Sequence, residues 1–144
     1  MDAKDYLRQV EMLDAIIKNK LIEKQQWMDM ALGITAQMGG ERVQSSGAMS
    51  KMENAVAKCV DMESEIDRLV DKLIDTKRDV TQTIEKLHSP IEYSVLHMRY
   101  IQFKTLQEIA DHYDRDYGWA TTTHGRALKS VQAILTKKFV TFCD

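Results

Sequence analysis

The chain has 144 residues, with 20 Lys and Arg against 22 Asp and Glu, for a formal net charge of −2. This balance excludes a histone-like polycation and an acidic tail protein, and 44% hydrophobic with 29% charged residues excludes a disordered chain. A single proline and six glycines are too few turn residues for an all-β fold, so the composition points to helices.

From the N-terminus, Tyr6, Val10, Leu13, Ile17 and Leu21 recur at helical spacing, and Trp27, Met28, Ala31, Leu32 and Met38 continue the pattern less regularly. This predicts a first helix over 2–38, with Gly33 and Thr35 weakening its end. Gly39 to Met49, rich in glycine and serine, reads as a loop. Ser50-Lys51-Met52-Glu53 then matches the S/T-x-x-E capping pattern that opens helices. Behind it, Met52, Val56, Cys59, Glu63, Ile66, Val70, Leu73, Lys77, Val80, Ile84 and Leu87 alternate spacings of 4 and 3, a heptad seam with Glu63 and Lys77 as polar exceptions. Met62, Leu69 and Ile74 widen this stripe. A helix of about 38 residues spans roughly 57 Å and cannot bury such a stripe alone. Residues 1–88 therefore read as a long helical hairpin that also serves oligomerisation.

Residues 89–144 form the second predicted domain. Ser89-Pro90-Ile91-Glu92 and Thr105-Leu106-Gln107-Glu108 repeat the capping pattern, the first with proline at the tolerant first helical position. Shorter helices are expected near 90–101, 105–113 and 117–138. Net charge shifts from −3 over residues 1–88 to +1 here, and Arg126, Lys129, Lys137 and Lys138 lie in 119–143 without any Asp or Glu, a local basic surface. Leu106, Ile109, Ala110 and Tyr113 share one helix face. Asp114-Arg115-Asp116 makes a short polar break, with Asp116 placed to cap the last helix. Ala120, Thr123, Ala127, Val131 and Ile134 give that helix a core face. Two short helices with a tight turn make a helix-turn-helix, whose second helix can enter the major groove of DNA.

The segment LHMRYIQFKTLQEIADHY followed by HGRALKSVQ resembles the fourth region of bacterial sigma factors, through Arg99-Tyr100, Thr105, Glu108-Ile109-Ala110 and Arg126-Ala127-Leu128. Over about 42–130 the chain also resembles the RinA- and ArpU-like late-gene regulators of phages and prophages. That likeness rests on Val43-Gln44-Ser45-Ser46-Gly47, Ala55-Val56-Ala57-Lys58, Glu65-Ile66-Asp67 and His124 to Leu128. The resemblance implies an all-α transcription regulator of late genes in the bacterial cytoplasm, binding double-stranded DNA and working with host RNA polymerase. By matched position the groove-facing residues are Tyr117, Gly118, Thr121, Thr122, Gly125, Arg126 and Lys129. Sigma recognition helices carry Arg, Glu and Gln there, so this face is small and weakly charged by comparison. Threonine can bond base edges or touch a thymine methyl, and glycine admits close backbone approach.

Two other functions fit the same pattern: a small terminase subunit that recognises phage DNA for packaging, and a protein-binding adaptor that binds no DNA. Enzyme chemistry is not expected, since no phosphate-cradling glycine loop or paired-carboxylate pattern stands out. Cys59 and Cys143 form no CxxC pair and read as free thiols. His88, His97, His112 and His124 lack metal-ligand spacing, so neither metal nor cofactor is expected. No run approaches the roughly 18–20 apolar residues of a membrane span, and the N-terminus lacks the apolar core of a signal peptide.

Overall fold

The computed structural model describes the backbone of residues 1–40 and 46–143, with side chains for 1–33, 50–138 and 140. Its elements are α1 (Ala3–Gly40), α2 (Ser46–Ile84), α3 (Pro90–Leu96), a π-helical turn (His97–Ile101), α4 (Leu106–His112) and α5 (Tyr117–Cys143). The fold is all-α, and no strand occurs among the described residues. The first helix runs through Gly33 and Thr35 to Gly40. Much of the predicted loop is therefore helical; its residues 41–45, including most of the Val43–Gly47 motif, lie outside the described residues. Ser50 is not a cap, because α2 already begins at Ser46.

The chain forms two compact units, one of Leu13–Lys72 and one of Met1–Met12 with Leu73–Asp144. The boundary expected at residue 88 falls inside the second of these. In the unit of residues 13–72, α1 and α2 run antiparallel. Lys20 Nζ reaches Glu65 Oε1 at 3.1 Å and Lys24 Nζ reaches Glu63 Oε2 at 4.0 Å, so residue numbers rise along one helix as they fall along the other.

The seam in this hairpin differs from the one read off the apolar pattern. On α1 the inward positions are Leu13, Ile17, Lys20, Lys24, Trp27 and Ala31, a continuous alternation of 4 and 3, while Leu21 is exposed. The lysine stems lie along the seam and their ammonium groups reach the Glu carboxylates at its edge, the snorkelling expected of long cationic chains. On α2 the buried residues are Ala55, Met62 and Ile66, with Met52, Cys59, Leu69 and Val70 half-buried. At three alternate positions the seam is thus one residue earlier than expected, whereas Val70 and Ile84 face inward as expected. Ala55 replaces Val56 and Met62 replaces Glu63 at the interface, which removes the two apparent polar exceptions, since Thr76 likewise takes the place of Lys77. Close helix approach favours the small Ala55 over the bulkier Val56, and an apolar scan that ranks by hydrophobicity misses that choice.

In the other unit, Ala3, Leu7 and Val10 of α1 and Val80 and Ile84 of α2 share a core with Leu96, Tyr100, Ala127, Val131 and Leu135. A polar network sits beside it. The Tyr6 hydroxyl donates to Asp79 Oδ2 at 2.5 Å and lies 2.8 Å from Thr83 Oγ1, and Lys138 Nζ donates to Asp79 Oδ1 at 3.3 Å. Burial, then the bond to the Asp79 carboxylate, pushes the Tyr6 phenol well above its usual range. Burial alone would raise Asp79 as well, but the hydrogen bonds from Tyr6 and Lys138 outweigh it and hold the carboxyl below its ordinary value.

The register makes a stability prediction. Met62 is 1% exposed and Val56 49% exposed. Met62→Ala is expected to cost about 2–5 kcal/mol in urea unfolding, and Val56→Ala under about 0.5 kcal/mol. Equal losses would restore the seam through Val56 and Glu63.

Candidate nucleic-acid interface

Local chemistry sets the ends of the short helices. Ser89 Oγ accepts the Glu92 amide at 3.3 Å to start α3, and Thr105 Oγ1 accepts the Glu108 amide at 3.1 Å to start α4. In neither case does the glutamate return a bond to the cap's own amide. Glu108 instead accepts the Thr105 hydroxyl at 3.2 Å, and Glu92 accepts Ser130 of α5 at 3.3 Å. The predicted helix over 90–101 is α3 followed by the π-helical turn, closed by Gln102 N–H donating to His97 O at 3.1 Å. Phe103 comes next with φ of 60°, a conformation costly for a bulky residue that is held by packing against the main core.

The turn between α4 and α5 is a Schellman motif. Arg115 N–H donates to Ala110 O at 2.9 Å and Asp114 N–H to Asp111 O at 3.2 Å, with Asp114 at φ of 53° in the left-handed position. Aspartate is among the few side chains that take this conformation readily. Asp116 Oδ1 then accepts the Trp119 amide at 2.7 Å and caps α5, as its place in the sequence suggests. Ala110 of α4 and Ala120 and Thr123 of α5 are buried. Trp119 packs, with ring centroids 5.3 Å from Tyr113, in a small core that includes Val95, Met98 and Ile109.

All seven sequence-predicted groove residues fall on the first half of α5. Tyr117, Gly118, Thr122, Arg126 and Lys129 are exposed, and Thr121 and Gly125 are half-buried. Their spacing puts them on one continuous surface of one helix. Thr121 Oγ1 donates to Gly118 O at 2.9 Å, so that hydroxyl is already engaged within the helix. A Cβ at Gly125 would meet no heavy atom within 4 Å, and one at Gly118 would meet only Asp116 Oδ1 at 3.6 Å. Packing within the chain therefore does not require either glycine, although each lowers helix stability by up to about 1 kcal/mol relative to alanine. Neither Arg126 nor Lys129 forms an ion pair among the described residues.

One basic residue changes role. Lys138, counted with the basic surface from sequence, is tied to Asp79. His124 does not stand on the groove face but stacks on Tyr100, centroids 5.6 Å apart, with 2.7 Å between Tyr100 Oη and Nε2. Sequence reasoning passed over Arg115, whose guanidinium carbon lies 5.8 Å from the Trp119 ring centroid at the start of α5. A lone arginine in a polar turn carries no periodic signal. Among the described residues, no group of His, Cys, Asp and Glu is arranged to hold a metal ion, and no helix is long and apolar enough to cross a membrane.

Burial, then the positive charges of Arg99, Lys4 and Arg8, holds the His124 imidazole below its usual value of 6.5. The folded state thus favours neutral His124. Its contribution is fully present above pH about 6.5 and is lost as pH falls below that value. Urea stability is expected to decline between pH 7 and 5, well above the range where Asp79 protonates, and His124→Asn should flatten part of that decline. A wild-type stability constant over this range would contradict the assignment. Thr105→Ala is expected to cost about 0.5–2 kcal/mol through loss of the cap, whereas Thr122→Ala, on the exposed face, should leave the melting temperature nearly unchanged; equal shifts would refute this helix placement.

Residues 34–135 match the family described as "Protein of unknown function (DUF1492)". No curated protein and no solved structure matches the chain. The matched region takes in α2, the helix-turn-helix and the first part of α5 together, and the chain is a member of the DUF1492 family.

Proposed function

We propose that the protein is a phage-type transcription regulator that binds double-stranded DNA through α5. The observation that carries this reading is the helix-turn-helix with its small, exposed face: a Schellman turn and an aspartate cap fix α4 against α5, and α5 presents threonines, glycines and two cations, Arg126 and Lys129, that form no ion pair among the described residues. Gly125 occupies a mid-helix position where alanine would fit with no clash, so its presence suits a surface that something else approaches closely. Arg126, Lys129 and Arg115 supply phosphate contacts, and Thr122 touches base edges. The likeness to sigma region four and to RinA- and ArpU-like regulators supports late-gene control, with RNA polymerase as a partner. The bacterial cytoplasm is the compartment where such a regulator works.

The hairpin supports a role in self-association. Leu21, Ile22, Met28, Leu32 and Val60 are all exposed large apolar residues within 13–72. The same observation favours the second reading, a small terminase subunit, since a ring also needs hairpin contacts between copies. Light scattering separates the two: a dimer supports the regulator, and a ring of many copies supports the terminase. A protein-binding adaptor remains the account if no duplex is bound.

Fluorescence anisotropy against a selected duplex and a scrambled one, across a salt series, tests DNA binding. Arg126→Ala and Lys129→Ala are each expected to make the log–log salt slope about 0.9 shallower and to weaken both duplexes equally. Thr122→Ala should shift preference between duplexes by about 1 kcal/mol or more, with little change of slope. Gly125→Ala is expected to raise the melting temperature and weaken DNA binding together. Absence of wild-type binding at low salt would overturn the proposal.

A further inference from the structure

The recognition face is poor in charge for a DNA reader, yet other cations stand beside it. The first turns of α1 dock on α5: Ala3 N–H donates to Gln132 Oε1 at 2.8 Å, and Ala3 and Leu7 join the core that holds Ala127 and Val131. Lys4 and Arg8 each come directly after one of those anchors and are four residues apart, so they share one exposed side of α1. Arg99, in the π-helical turn, lies over the Tyr100 ring with 5.6 Å from guanidinium carbon to centroid, and Tyr100 in turn meets His124. His124 sits three residues after Thr121 and immediately before Gly125, at the edge of the groove face. We infer that Lys4, Arg8 and Arg99 form a second set of phosphate contacts along one edge of the α5 face, facing a DNA strand across from Arg126 and Lys129.

This inference rests on the DNA-binding reading and extends it to residues outside the helix-turn-helix. Among the described residues none of the three cations forms an ion pair. Their charges act on His124 together, in the same direction, in support of their placement around it. Arg99 and Arg8 act on the Tyr100 hydroxyl as well, more strongly than the acids Glu11 and Asp2. Cations on both edges of a small, neutral face compensate for the missing charge within it. Affinity then comes from phosphates at the rim, and the threonines and glycines at the centre are left to approach the bases.

The experiment uses the full chain in the same anisotropy salt series. Lys4→Gln/Arg8→Gln changes only exposed side chains and is expected to make the slope about 1.8 shallower, at about 0.9 per phosphate contact. Selected and scrambled duplexes should lose affinity by the same factor. Arg99→Gln should lose about one further contact, and Arg99→Lys, which keeps the charge, should restore the slope. Arg68→Gln/Lys72→Gln, two exposed cations of α2, should leave it unchanged. An unchanged slope in Lys4→Gln/Arg8→Gln, alongside a reduced slope in Arg126→Ala, would overturn this inference and leave the DNA reading standing. Absence of duplex binding by the wild type would overturn both.

Discussion

The docking of α5 on the two ends of the long helices is the constraint on which the functional half of the molecule depends. The helix of 27 residues carries the candidate recognition face on its first turns and its structural anchors further along. Gln132 takes the amide of Ala3, Lys138 pairs with Asp79, and Val131 and Leu135 enter the core with Leu7, Val80 and Ile84. At the other end α4 packs on the same helix, with Ile109 and Tyr113 in one core with Trp119. A rigid helix held at both ends presents its remaining surface in one orientation. That is the arrangement a docking helix needs, because a surface already ordered loses less entropy on binding.

Buried polar groups in this region are arranged to specify those contacts. Among the described residues, no buried side-chain nitrogen or oxygen lacks a partner. Tyr6, Thr83, Asp79 and Lys138 form one connected network across α1, α2 and α5, and Tyr100 and His124 form another between the π-helical turn and α5. Removing one member of such a network strands the others, so the cost exceeds that of a single hydrogen bond. The π-helical turn and the left-handed Phe103 after it set Tyr100 and Arg99 at this position, and the local backbone strain is offset by the core contacts of Tyr100, Ile101 and Phe103.

Much of this was legible in the sequence because it is local. Thr105, Ser89 and Asp116 act as caps through side chains three residues from the amides they satisfy. The alternation of Leu106, Ile109 and Ala110 with Ala120, Thr123 and Ala127 comes from helical period alone. Ser50 shows the limit of the same reasoning: its tetrapeptide fits the capping pattern, but the helix had already started at Ser46. The hairpin seam was largely legible. Every seventh position on α2 was right, as were Val70 and Ile84 between them, but at Val56, Glu63 and Lys77 the seam is displaced by a residue, because Ala55 and Thr76 do not stand out on any hydrophobic scale. Lys20 and Lys24 were hidden for a related reason, since their stems pack while their charges leave for Glu65 and Glu63. Tertiary placement left no trace at all. Nothing in the spacing of Lys4, Arg8 and Arg99 relates them to His124, and only the fold brings the start of α1 to the middle of α5.

Chemical-shift mapping with a selected DNA duplex tests the central claim most directly, because it reads the location of contact in the intact chain. The account predicts perturbations concentrated on α5 from Tyr117 to Lys129 and on Lys4, Arg8 and Arg99, with residues 13–33 of α1 unaffected at constant oligomeric state. Perturbations confined to the hairpin, or none at saturating duplex, would contradict it.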